Sequence, residues 1–146
     1  GHKKQNCLHI QQLLEENILH EHRYGENNSD YYTNRPVHGC QLSIRHTNSF
    51  EFCFKPATKL SVSAAMGSLI ITTYDWSVQD LLPNDYPYLI QTPDYKNVVS
   101  MIEKLKTTYL DKEGTIARDM LNEVLHKTSL YESIAPLYKN IITHFS

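Results

Sequence analysis

Apolar residues in this chain change their spacing from segment to segment, and the changes mark out its elements. Leu8, Ile10, Leu13, Leu14, Ile18 and Leu19 recur at intervals near three and four, which predicts a helix over residues 5–22. Gly25 and the polar run Glu26–Asp30 end it in a loop. Cys40, Leu42 and Ile44 alternate with Gln41, Ser43 and Arg45, the period of a strand. Phe50, Phe52 and Phe54 alternate again, so that segment is read as extended. Pro56 suits the first turn of a helix running to Met66, and Gly67 suits its C-terminus. Leu69-Ile70-Ile71 is a continuous apolar run, as in a strand buried on both faces of a parallel sheet.

The second half continues the alternation of strand and helix. Asp75 reads as the cap of a short helix through Leu82, with Trp76 as its anchor. Tyr88-Leu89-Ile90 reads as a third strand. Thr92-Pro93 reads as a cap and first-turn proline for a helix whose apolar face is Val98, Val99, Ile102 and Leu105. Gly114 and Thr115 punctuate before a helix bearing Ile116, Met120, Leu121, Val124 and Leu125. Ser129 and Glu132 have capping-box spacing for a last helix, in which Pro136 predicts a kink. Strands separated by helices define an α/β fold: a Rossmann-like parallel sheet flanked by helices, with a helical C-terminal tail. Residues 1–146 are expected to form a single Rossmann-like domain, with 1–38 as a helical and loop lead-in.

Bulk composition narrows the classes. At 146 residues, with 40% hydrophobic and 21% charged residues, the chain is long and apolar enough for a core. A net charge near −2 argues against a broad grip on nucleic acid, so any anion binding must be local. No apolar run approaches the roughly 20 residues of a membrane span. Three cysteines without a CxxC pair fit reduced thiols and a cytoplasmic setting. His20, His22, His38 and His46, with Cys40, raise zinc, but no HxxxH or CxxC spacing supports it and no metal is expected.

Candidate chemistry gathers around residue 56. A helix start collects unpaired backbone N–H groups and positive dipole, and so favours an anion. Lys55 and Lys59 flank that start, and Thr58 adds a hydroxyl. Arg45 ends a strand, and ligands of open α/β sheets bind beyond the carboxyl ends of strands. These four residues are the expected contacts of a phosphate-bearing ligand. Tyr86 and Tyr88 read as packing residues, and Cys53 lacks a partner for nucleophilic work.

The text Phe54-Lys55-Pro56…Lys59-Leu60…Ala64-Ala65-Met66-Gly67-Ser68…Ile70-Ile71 resembles the C-terminal, donor-binding lobe of a GT-B glycosyltransferase. Asp75–Leu82, Asn84–Leu89 and the helical segment from Tyr95 are similar to the family's later elements. Val62 stands where the family usually has a glutamate that holds the donor ribose. The resemblance implies a nucleotide-diphosphate sugar as substrate, no cofactor, and glycosyl transfer to an acceptor hydroxyl. It also implies a second lobe or subunit carrying the acceptor site and the general base. The alternative expectation is a non-catalytic α/β binding or interaction module, such as a regulatory subunit or remnant lobe.

Overall fold

The computed structural model describes Glu15, residues 39–45, residues 56–129, residues 134–136 and Thr143. The chain divides into two compact units, Gly1–Val37 and His38–Ser146. Of the first, Glu15 is helical; the rest of the helix expected over 5–22 lies outside the described residues. So does the extended segment expected around Phe50–Phe54.

The second unit is built on strands β1 (Cys40–Ser43), β2 (Leu69–Thr73) and β3 (Leu89–Ile90). They form a parallel sheet in the order β1-β2-β3, with Cys40 opposite Leu69 and Thr72 opposite Leu89. Helix α1 (Thr58–Ala65) connects β1 to β2, and the four-residue α2 (Trp76–Gln79) lies between β2 and β3. Helices α3 (Tyr95–Thr108) and α4 (Lys112–Thr128) follow. Helix α1 packs on α4, β1 and β2, while α3 packs on β3 and α4. This is the expected α/β, Rossmann-like arrangement, with a helical C-terminal part. Among the described residues no helix is long and apolar enough to cross a membrane.

The apolar run Leu69-Ile70-Ile71 becomes the centre of the core because every residue of β2 is buried. Its backbone must therefore find partners inside the protein. Leu69 N–H donates to Gly39 O on the β1 side at 2.9 Å. On the other side, Thr72 N–H reaches Tyr88 O and Tyr74 N–H reaches Ile90 O. Ile70 also faces that side, ahead of the paired part of β3. The Tyr86 hydroxyl fills the place of a strand there: it donates to Ile70 O at 2.9 Å and accepts from Ile70 N–H at 3.4 Å. Tyr86 and Tyr88 are both buried and meet edge to face at 6.0 Å. Tyr86 thus packs on the sheet, while the Tyr88 hydroxyl meets Thr108 Oγ1 of the following helix, α3, at 3.0 Å.

Local chemistry explains where elements begin and end. Helix α1 closes in a Schellman motif: Gly67 has φ +65°, its N–H bonds Ala64 O, and Ser68 N–H bonds Ser63 O. Its start differs from expectation, since Thr58 is the first helical residue and Pro56 lies outside. Helix α3 opens at Asp94, not Thr92, because the Asp94 carboxylate accepts from Asn97 N–H at 2.8 Å. Gly114 does not punctuate: it lies in the first turn of α4, where an added Cβ would sit 2.1 Å from Tyr109 O. The glycine is there for close approach of α4 to the end of α3. Strand β1 ends at Ser43, short of Ile44, where the Thr73 hydroxyl rather than a β2 carbonyl takes the Arg45 N–H. Ile134–Pro136 and Thr143 are helical, and Ser129 is the C-cap of α4; Glu132 lies outside the described residues.

Removing the Tyr86 hydroxyl leaves both polar groups of Ile70 without that partner. Tyr86→Phe should lower stability by about 1–3 kcal/mol, read as a shift in urea midpoint at constant slope. A change within error would show that the bridge adds nothing net.

Burial pushes the Cys40 thiol up from 9.0 to about 11, against a backbone hydrogen bond from Ile71 that lowers it. Burial also raises the Tyr86 phenol, which a bond to Ile70 partly offsets. Both groups bind their protons more tightly when folded, so stability is full below the unfolded values and falls as pH rises toward the folded ones. Urea unfolding should show a loss of about 2–3 kcal/mol from Cys40 between roughly pH 8.5 and 11. Cys40→Ala should flatten that part of the profile and leave the tyrosine part above roughly pH 10. An unchanged profile in the variant would refute the assignment.

Candidate functional site at the carboxyl ends of β1 and β2

The carboxyl ends of β1 and β2 face the start of α1 and the cap of α2, and Arg45 joins all of these. Its side chain is 16% exposed. Nη2 donates to Pro56 O at 2.9 Å, just ahead of α1. Nη1 donates to Ser77 Oγ at 3.1 Å and pairs with Asp75 Oδ2 at 3.4 Å. Ser77 Oγ in turn donates to Asp75 Oδ1 at 2.7 Å. Asp75, 3% exposed in its side chain, caps α2 by accepting from Val78 N–H at 3.1 Å. One carboxylate thus serves a helix cap, a hydroxyl and a guanidinium. A planar fork of five donors suits Arg45 to such scattered acceptors.

The start of α1 is built differently from those of α2 and α3. Ala57 is its N-cap, with φ −77° and ψ 49°, and supplies no side-chain bond. There is no acidic residue in the first turn. Bonding within the turn begins with Leu60 N–H donating to Ala57 O at 2.8 Å. Among the described residues no carboxylate caps this end as Asp75 and Asp94 cap theirs.

Of the expected contacts, the structure brings Arg45 to the entrance of α1 and places Thr58 and Lys59, both exposed, in its first turn. Lys59 Nζ donates to Leu42 O near the end of β1 at 3.4 Å. Lys55 lies outside the described residues, as do His20, His22, His38 and His46. Among the described residues no cluster of three His, Cys, Asp or Glu side chains could hold a metal. Trp76 does not anchor α2, being 65% exposed at this rim. Its neighbour Val78 is the buried residue of that helix.

Sequence reasoning identified Asp75 as a cap but missed it, with Ser77, as a partner of Arg45. Thirty positions separate the pair, and no local pattern links them. A concavity of about 310 Å³ lies where β3 meets α3, lined in part by Gln91, Thr92, Asn97 and Lys104. None of the expected contacts lines it. No protein family, curated protein or solved structure matches the chain.

Asparagine caps helices about as well as aspartate, which separates the two jobs of Asp75. Asp75→Asn should cost about 1 kcal/mol and Asp75→Ala about 2–3 kcal/mol, read by chemical denaturation. Equal losses would mean that the cap contributes nothing beyond the ion pair.

Proposed function

We propose that residues 38–146 form the nucleotide-sugar-binding lobe of a GT-B-type glycosyl-transfer system, with the donor diphosphate against the first turn of α1. The observation that carries this reading is the start of α1: a helix end with neither side-chain cap nor acidic first turn, beside the carboxyl ends of parallel strands, with Thr58 and Lys59 exposed on it. In the proposal, backbone N–H groups and Lys59 stabilise charge that develops on the departing diphosphate, and Lys55 adds to them. Asp75 is buried and committed to Arg45 and the α2 cap, so it is not the general base. That group would come from a second lobe, together with the acceptor site.

Calorimetric titration with uridine and guanosine diphosphate tests the donor site. One of the two should bind in the micromolar to millimolar range. Lys59→Ala should weaken it about tenfold, the loss of one charge-assisted hydrogen bond. No binding at millimolar ligand, or binding untouched in both Lys55→Ala and Lys59→Ala, would reject the reading.

A further inference from the structure

Helix α3 carries two distinct stripes. Val98 and Leu105 are its buried residues. Asn97, Ser100, Met101 and Lys104 fall at i, i+3, i+4 and i+7, so they share another stripe. That second stripe walls the concavity of about 310 Å³, opposite β3 and the two residues after it, Gln91 and Thr92. The groove thus sits at the carboxyl end of a parallel strand, where open α/β sheets take their ligands. Its volume is at the small end of the range for ligand sites.

Both ends of the stripe are held in place. Asn97 Nδ2 donates to Thr92 O at 3.0 Å and to Asp94 Oδ2 at 2.9 Å. Both partners are acceptors, so both amide hydrogens are used and Oδ1 is presented as an acceptor in a fixed orientation. Two turns on, Lys104 Nζ donates to Pro87 O at 3.1 Å and pairs with Glu113 Oε2 at 3.0 Å. An ammonium has three N–H groups, so one remains, while the glutamate offsets the charge. The helical rise puts Asn97 and Lys104 about 10 Å apart along the axis. Ser100 lies between them, and it is exposed, as are Gln91 and Thr92 across the groove. None of the lining side chains is a carboxylate.

We propose that the groove between β3 and α3 binds a small neutral molecule rich in hydroxyl groups, of the free-sugar or polyol class. Side-chain amides and hydroxyls offer donors and acceptors together, as ligand hydroxyls do. The ammonium adds a donor, and its ion pair leaves little net charge for an anion to match. Met101 supplies an adaptable apolar contact for the C–H face of such a molecule. The site is separate from the start of α1 and does not depend on the proposed function.

The test is a titration of the full chain, followed by amide-resolved nuclear magnetic resonance. The probes are glucose, galactose, mannose and myo-inositol, each to about 100 mM, with acetate as the anionic control. At least one of the four should shift the Gln91, Thr92, Ser100 and Met101 amides saturably, with a Kd of about 1–30 mM for so shallow a site. The Leu69, Ile70 and Ile71 amides of β2 should not move. Gln91→Ala should weaken binding about threefold to tenfold. Ser100→Trp fills the groove from an exposed position and should abolish saturation. Absence of saturable shifts with all four probes would overturn the proposal. Tighter binding of acetate than of every neutral probe at the same amides would overturn it too, since the site would then serve an anion. So would an affinity unchanged in both variants. Should Ser100→Trp fail to fold, an unchanged affinity in Gln91→Ala is enough to reject it.

Discussion

The fold depends on one requirement: β2 is buried along its whole length, so its backbone must be satisfied without water. β1 pairs with one edge from Leu69 to Thr72. On the other edge β3 is only two residues long, and its ladder begins at Thr72. The gap at Ile70 is closed by a side chain, the hydroxyl of Tyr86, acting as donor and acceptor at once. The turn that precedes β3 thereby belongs to the sheet, with Tyr86 against β2 and Tyr88 reaching Thr108 of α3.

The same economy of single side chains governs the carboxyl end of the sheet. Arg45 ends β1, braces α2 and holds the approach to α1. Asp75 both caps a helix and balances that arginine. The start of α1 is tied through Pro56 to the end of β1 and to the α2 cap.

Much of this was legible in the chain, for reasons that are local. The unbroken run Leu69–Ile71 fits a strand buried on both sides, Gly67 fits a left-handed helix end, and Asp75 has the chemistry of a cap. What escaped depends on contacts made across the fold. Thr92 and Asp94 are both good caps, and only the position of Asn97 decides between them. Gly114 reads as a break until the Tyr109 carbonyl is seen against it. The α1 start was sought at Pro56, whose carbonyl turns out to be tied to a residue eleven positions upstream. The expectation that Arg45, Thr58 and Lys59 meet an anion comes from residue types near a helix start, and the structure places Thr58 and Lys59 in the first turn of α1 and Arg45 on Pro56 O.

The chain has one tryptophan, and it stands in solvent beside Asp75. Its emission in the native protein should already resemble that of a denatured polypeptide. Tryptophan fluorescence will therefore be nearly blind to loss of the core around Tyr86 and Tyr88, while remaining sensitive to any molecule that comes to rest on the rim.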